Sequence, residues 1–314
     1  MTRHAFRWTV LLLVIVALPT LAAAQDYKGK GRIKGKVVNA EGQGLKDSMV
    51  TAIYTATGTG PDAVKVKGNG EFEVKDLMPG TWTLTANAGH LNYGAEFAEV
   101  EILERDTPEI EIVIQPAQAL LQVGTTRLQA KDFGEARLAF QKLLIAMPQN
   151  VPLNQYIATT YEGEGNFGKA LEHLDILLNA LPAGADPNAV RQLKLQAVDD
   201  AASLPDYPRM YGYIESLSDA EFSDATATAL VSVAGNTLSG SQKNYDETVK
   251  LLDIVVDKVP TNALAYYYRG MAYVQLENDE QAKADLEKCV ELSPTETAQV
   301  RQAKTVLEQM NPGS

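Results

Sequence analysis

From Ala117 onward the chain repeats itself with a period of 34 residues. Pro148 and Pro182 are 34 apart, as are Ala136 and Ala170, and Phe140 and Leu174. The register returns at Pro260 and Pro294, with Gly270, Tyr273, Ala282 and Leu286 at matching offsets. A helix pair of this length cannot bury its apolar face alone and does so by stacking on its neighbours. The product is a solenoid with a long concave surface. Such surfaces bind partners and seldom carry chemistry, so the pattern points to an interaction protein.

A chain of 314 residues has room for about two domains. Residues 1–24 belong to neither. Arg3 and Arg7 form a basic start, Trp8 to Leu21 an apolar run broken by Pro19, and Ala22-Ala23-Ala24 a small-residue cleavage site. That order is the pattern of a secretory signal peptide and predicts a periplasmic or secreted protein. The run is short for a membrane anchor, and no later segment is apolar enough to cross a bilayer. Without residues 1–24 the chain carries 26 basic and 40 acidic side chains, a net charge of −14. An acidic chain of this kind is a poor match for nucleic acid. The single cysteine, Cys289, excludes an intramolecular disulfide and falls at a small, buried position of the repeat, where packing is favoured over a reactive thiol.

Between residues 25 and 115 the period is two. Ile33, Gly35 and Val37 point one way and Lys34 and Lys36 the other, and turn sequences recur at Glu41–Gly44, Gly58–Pro61, Gly68–Gly70 and Met78–Gly80. Strands are predicted over Met49–Tyr54, Ala63–Lys67, Glu71–Lys75, Thr81–Ala86, Glu96–Leu103 and Glu109–Ile114. About seven short strands at this spacing argue for an antiparallel β-sandwich. The run Val66-Lys-Gly68-Asn-Gly70-Glu-Phe72, followed by Leu77-Met-Pro79-Gly80-Thr-Trp82, resembles the carboxypeptidase regulatory-like domain, a transthyretin-like sandwich. The resemblance implies an accessory module for binding, spacing or stabilisation, with Trp82 in its core; stacking of Trp82 on a sugar is the alternative. Lys28, Lys30, Arg32, Lys34 and Lys36 share one face of the first strand. They are either a weak anion- or glycan-binding row or a solvated edge protected by its charge.

The 34-residue unit, with Gly124, Ala136, Phe140 and Pro148 in its first copy, Ala158, Tyr161, Ala170, Leu174 and Pro182 in its second, and Gly270, Tyr273, Ala282, Leu286 and Pro294 in its last, resembles the tetratricopeptide repeat. About five helix pairs fill residues 116–294. The third is divergent, and Thr248 stands at the usual alanine of the fourth. Residues 295–314 supply a polar capping helix and tail, as a solenoid end requires. The resemblance implies that the first helix of each pair lines the groove. That places Leu121, Thr125 and Leu128 there from the first unit, Gln155, Thr159 and Glu162 from the second, and Tyr267, Met271 and Val274 from the last. Packing of Tyr267 and Met271 against the cap is the competing reading. Leu121 and Gln155 occupy the lysine position, and Thr125 and Thr159 the asparagine position, of the clamp that some repeats of this kind use for C-terminal carboxylates.

No pattern of catalysis, cofactor or metal binding is present. His90 and His173 lack zinc-site spacing, there is no nucleophile elbow or phosphate loop, and Asp199-Asp200 reads as a solvated acidic surface. The sequence therefore predicts a multidomain chain: an N-terminal antiparallel β-sandwich followed by an all-α solenoid. It predicts a non-catalytic, exported scaffold whose groove takes a protein or peptide in the cell envelope, with the sandwich as docking or spacer module. The alternatives are a glycan- or cell-wall-binding protein acting through the sandwich, an enzyme accessory factor and a self-assembling scaffold.

Overall fold

The computed structural model describes residues 27–103, 109–219, 221–240 and 243–310. The leader expected over residues 1–24 and the tail from residue 311 lie outside these. The chain divides into two compact units, one carrying the strands and ending at Gln115, the other running from Pro116 and also including Asn92–Gly94.

The first unit holds β1 (Lys28–Val38), β2 (Met49–Tyr54), β3 (Val64–Lys65), β4 (Glu71–Leu77), β5 (Gly80–Asn87), β6 (Ala95–Ile102) and β7 (Glu109–Val113). They form two sheets, ordered β4-β1-β7 and β3-β2-β5-β6. Alternation decides which side chains go inside. Ile33 and Val37 of β1, Phe72 and Val74 of β4 and Ile112 of β7 are buried, as are Val50, Ala52, Trp82, Leu84 and Ala86 of the second sheet. Trp82 is fully buried and donates its indole N–H to the Met78 carbonyl at 3.0 Å, which places it in the core and leaves no face for a sugar. Gly70 takes φ +85° where the Gly44 backbone crosses, and a Cβ there would lie 2.8 Å from the Gly44 Cα.

One pairing departs from the antiparallel expectation. β1 and β7 run parallel, with Lys34 beside Glu109 and Val38 beside Val113. The first and last strands of the unit are neighbours in space, and such a pair cannot be joined by a hairpin. β3 is also shorter than the expected Ala63–Lys67, because the Lys67 N–H turns to the Glu71 carbonyl and closes the hairpin into β4.

The second unit is helical: α1 (Ala117–Gln129), α2 (Phe133–Ala146), α3 (Leu153–Gly163), α4 (Phe167–Ala180), α5 (Pro187–Ser203), α6 (Tyr207–Glu215), α7 (Asp224–Ser239), α8 (Tyr245–Lys258), α9 (Ala263–Gln275), α10 (Asp279–Leu292) and α11 (Ala298–Met310). Asn166, Asp206, Ser223, Asn244 and Asn262 each start a helix, accepting a backbone N–H with the side chain. Within each pair the helices pack on each other, and most pairs then pack on the next. The repeat residues explain the close approach: Gly124 is buried against Phe140, and a Cβ on it would come within 2.5 Å of the ring. Ala136, Ala170 and Ala282 are fully buried at the corresponding small position, and so is Thr248, whose hydroxyl is absorbed by the Asn244 carbonyl at 2.8 Å. Cys289 is buried as expected, and burial pushes its thiol pKa up.

The third pair is where the regularity fails. α5 is long, α6 is only nine residues, and α7 packs on α5 in place of α6.

Candidate functional site in the helical unit

Three surfaces carry polar side chains in number. On the three-stranded sheet, Lys34 lies between Glu73 and Glu109, and Lys36 between Glu71 and Glu111, so two glutamate columns flank the cations. Arg32 pairs with Glu73 at 3.4 Å, and the hydrogen bond from Lys75 holds the Glu73 carboxyl below its usual range. Lys28 and Lys30 extend the row past these glutamates. A cleft of about 630 Å³ between α4, α5 and α6 contains Asp175, Lys194, Arg209 and Tyr213. Its charges are matched internally. Arg209 pairs with Asp175 and donates to the Tyr213 hydroxyl, while Lys194 donates to the Ser216 carbonyl at 2.7 Å and pairs with Glu221.

The third surface is the wall built by the first helices of the pairs. α7 touches both α5 and α9, and Gln196 of α5 donates to Glu162 of α3 at 2.6 Å. Among the residues expected on this wall, Leu121 is 40% exposed and Gln155 is exposed. Leu128 is half-buried against the core of the first pair. The Thr125 and Thr159 hydroxyls are turned back onto the Leu121 and Gln155 carbonyls of their own helices, at 3.0 and 3.1 Å. They therefore present methyl groups more than donors. Tyr156, which the repeat pattern did not single out, stays 40% exposed while stacking on Phe140 with ring centroids 4.8 Å apart.

The last unit differs. Tyr267 is only 6% exposed, and its hydroxyl donates to Gln302 of α11 at 2.7 Å. Met271 and Val274 are half-buried in the same cluster with Val300, Val306 and Leu307. The capping helix takes up this trio, so the structure places it in packing between α9 and α11 and apart from the set on α1 and α3.

Asp200 corrects the sequence reading. Asp199 is exposed, but Asp200 is 3% exposed, and its Oδ2 has no hydrogen-bond partner among the described residues. Burial first, then the charge of Glu162, a hydrogen bond donated to Glu162 and the charge of Asp199, push its pKa up to about 8. The cause is helix geometry: Leu193, Ala197, Val198, Asp200 and Ala201 form the buried stripe of α5. The signal in the sequence is an acid three residues after Ala197 on an apolar face, hidden because this pair has lost the repeat register. His173 is half-buried, and burial lowers its pKa. Its Nδ1–H faces the Asn154 amide oxygen at 2.9 Å, while the Asn154 amide group donates to the Val151 carbonyl.

The tetratricopeptide-repeat family model matches residues 263–296, which cover α9 and α10. No curated protein matches the chain. Among solved structures, MamA protein is similar at 18% identity with a TM-score of 0.42, covering 56% of this chain and 91% of its own. YrrB, described as a TPR protein with an unusual peptide-binding site, is similar at 17% and 0.40, covering 60% and 92%. A tetratricopeptide repeat protein from Parabacteroides merdae ATCC 43184 is similar at 18% and 0.39, covering 62% and 72%. The chain thus carries at least one tetratricopeptide repeat within an array of stacked helix pairs.

Proposed function

We propose that this chain is an exported protein-binding scaffold that acts by holding a protein or peptide partner against the wall of its first helices. The observation that carries the reading is the stacking of helix pairs built on the repeat, which leaves Leu121, Gln155 and Tyr156 exposed on successive first helices. Apolar and amphipathic side chains at such intervals suit an extended peptide or an amphipathic helix. Action by binding, without catalysis, fits the residues that could have served chemistry: the His173 ring is tied to Asn154, and the Cys289 thiol is buried. The β-sandwich, with its resemblance to the carboxypeptidase regulatory-like domain, serves as the docking or spacer module, and the leader pattern of residues 1–24 directs the protein to the envelope.

Affinity capture from an envelope fraction with the purified chain as bait tests this. Changing the exposed Leu121 to Asp removes an apolar anchor without disturbing a buried group. It is expected to lower partner capture by about tenfold or more, while the helical circular dichroism and its melting stay unchanged. A partner retained at full strength by that variant would overturn the groove assignment. Capture of polysaccharide alone, lost on neutralising Lys28 and Lys30, would move the function to the sandwich.

A further inference from the structure

The helical unit holds a buried acid with no counter-ion among the described residues. Asp200 lies on the buried stripe of α5, and the charged groups acting on it are Glu162, from α3, and Asp199, from its own helix. Both are acids, and among the described residues no lysine, arginine or histidine acts on it. Glu162 stands one step nearer to solvent, half-buried on the wall of first helices, and Gln196 donates to it from α5. The Asp200 Oδ2 is an acceptor with no donor among the described residues. A buried polar atom left in this state costs free energy that the fold could avoid with an apolar residue. A second carboxyl group beside Glu162 with an acceptor oxygen left over calls for a group that only donates.

We propose that Glu162, backed by Asp200 and Gln196, is the receptor for a basic side chain, lysine or arginine, of the partner peptide. The proposal rests on the groove reading given above and names the chemistry of its ligand. Glu162 is the contact, and Gln196 orients it. Asp200 is the charge in reserve: it holds its proton while the site is empty and releases it to solvent when the incoming cation makes ionisation favourable. No cluster of three or more metal-ligating side chains occurs among the described residues, so the pair suits an ammonium or guanidinium better than a metal ion. The net charge of −14 carried by residues 25–314 draws basic segments toward the chain from a distance.

The test is calorimetric titration of the purified chain, near neutral pH, with a blocked alternating lysine–alanine octapeptide and its glutamate–alanine counterpart. Two buffers of different ionisation enthalpy report proton exchange. The lysine peptide is expected to bind with release of about one proton. Asp200→Asn keeps a donor toward Glu162 and hence the fold, which a melting curve verifies. It is expected to abolish the proton release and weaken binding by about tenfold, and Glu162→Gln to weaken it at least as much. Equal binding of the glutamate peptide, or lysine-peptide binding that neither substitution changes, would overturn the proposal by reducing it to diffuse attraction. A captured protein partner that is lost on Leu121→Asp yet retained by Glu162→Gln and Asp200→Asn overturns the cation receptor and leaves the groove reading standing.

Discussion

Asp200→Asn is expected to raise the stability of the helical unit at pH 8, and to remove a decline in stability expected of the wild-type chain between about pH 4 and pH 8. The folded pKa of Asp200, about 8, lies above the ordinary carboxyl value of 3.8. Between those two values the unfolded chain has lost a proton that the folded chain still holds. Stability therefore falls as pH rises through this window and levels off above it, at about 1.4 kcal/mol per pH unit for one such group. Asparagine cannot ionise, and its amide can still donate to Glu162, so the buried site keeps its bond and loses its pH-dependent cost. Asp200 shares its titration with its acidic neighbour Glu162, which makes the decline shallower than that of an isolated group, and the gain at pH 8 is expected to be roughly 2–4 kcal/mol, read from urea unfolding followed by circular dichroism. A variant whose stability declines with pH as steeply as wild type would show that Asp200 is not the group responsible. A buried acid that lowers stability where an apolar side chain would fit is what a stability–function compromise produces.

Arg269→Met is expected to destabilise the helical unit by about 3–5 kcal/mol, while Arg269→Met with Asp285→Leu recovers most of that loss. Arg269 of α9 grips Asp285 of α10 through two parallel bonds of 2.7 Å and reaches Asp253 of α8 at 2.8 Å. Asp285 is 5% exposed, and the same bonds push the Arg269 pKa up. Removing the guanidinium alone strands a carboxylate in the seam between helices; removing both partners leaves a seam that apolar side chains can fill. Asp253 is exposed and tolerates the loss by hydrating. Comparing the single and double variants by urea unfolding separates the cost of an orphaned charge from the value of the pair. A single variant costing less than about 1 kcal/mol would mean that water reaches Asp285.

The helical array was legible because its spacing is set by contacts that recur. Gly124 against Phe140, and Ala136 and Ala170 at the crossing points, are each demanded by a close approach of two helices, so they appear at fixed offsets. Leu121 and Gln155, assigned to the groove face by the same offsets, are exposed. Two features were not legible in this way. Asp200 lies in the one pair where the offsets lapse, and an acid on an apolar stripe is invisible until the stripe is known to be buried. The burial of Tyr267 depends on α11, whose docking is decided by Gln302 and Val300, thirty or more residues away. In the β unit, alternation identified the inward residues but could not pair β1 with β7, because strand pairing between distant segments leaves no local mark.

That β1–β7 pairing bears on the order in which the chain acquires its structure. Lys34 has no neighbour on that side until Glu109 has been made, so the three-stranded sheet stays one strand short until nearly the whole first unit exists. The helix pairs wait for nothing so remote, since each is closed by its own next few dozen residues. Distant pairings form slowly and local ones fast. A chain emerging from its N-terminus would therefore start its strands first and finish them late. Its C-terminal helices begin last and fold quickest, and an interval remains in which β1 is an open edge.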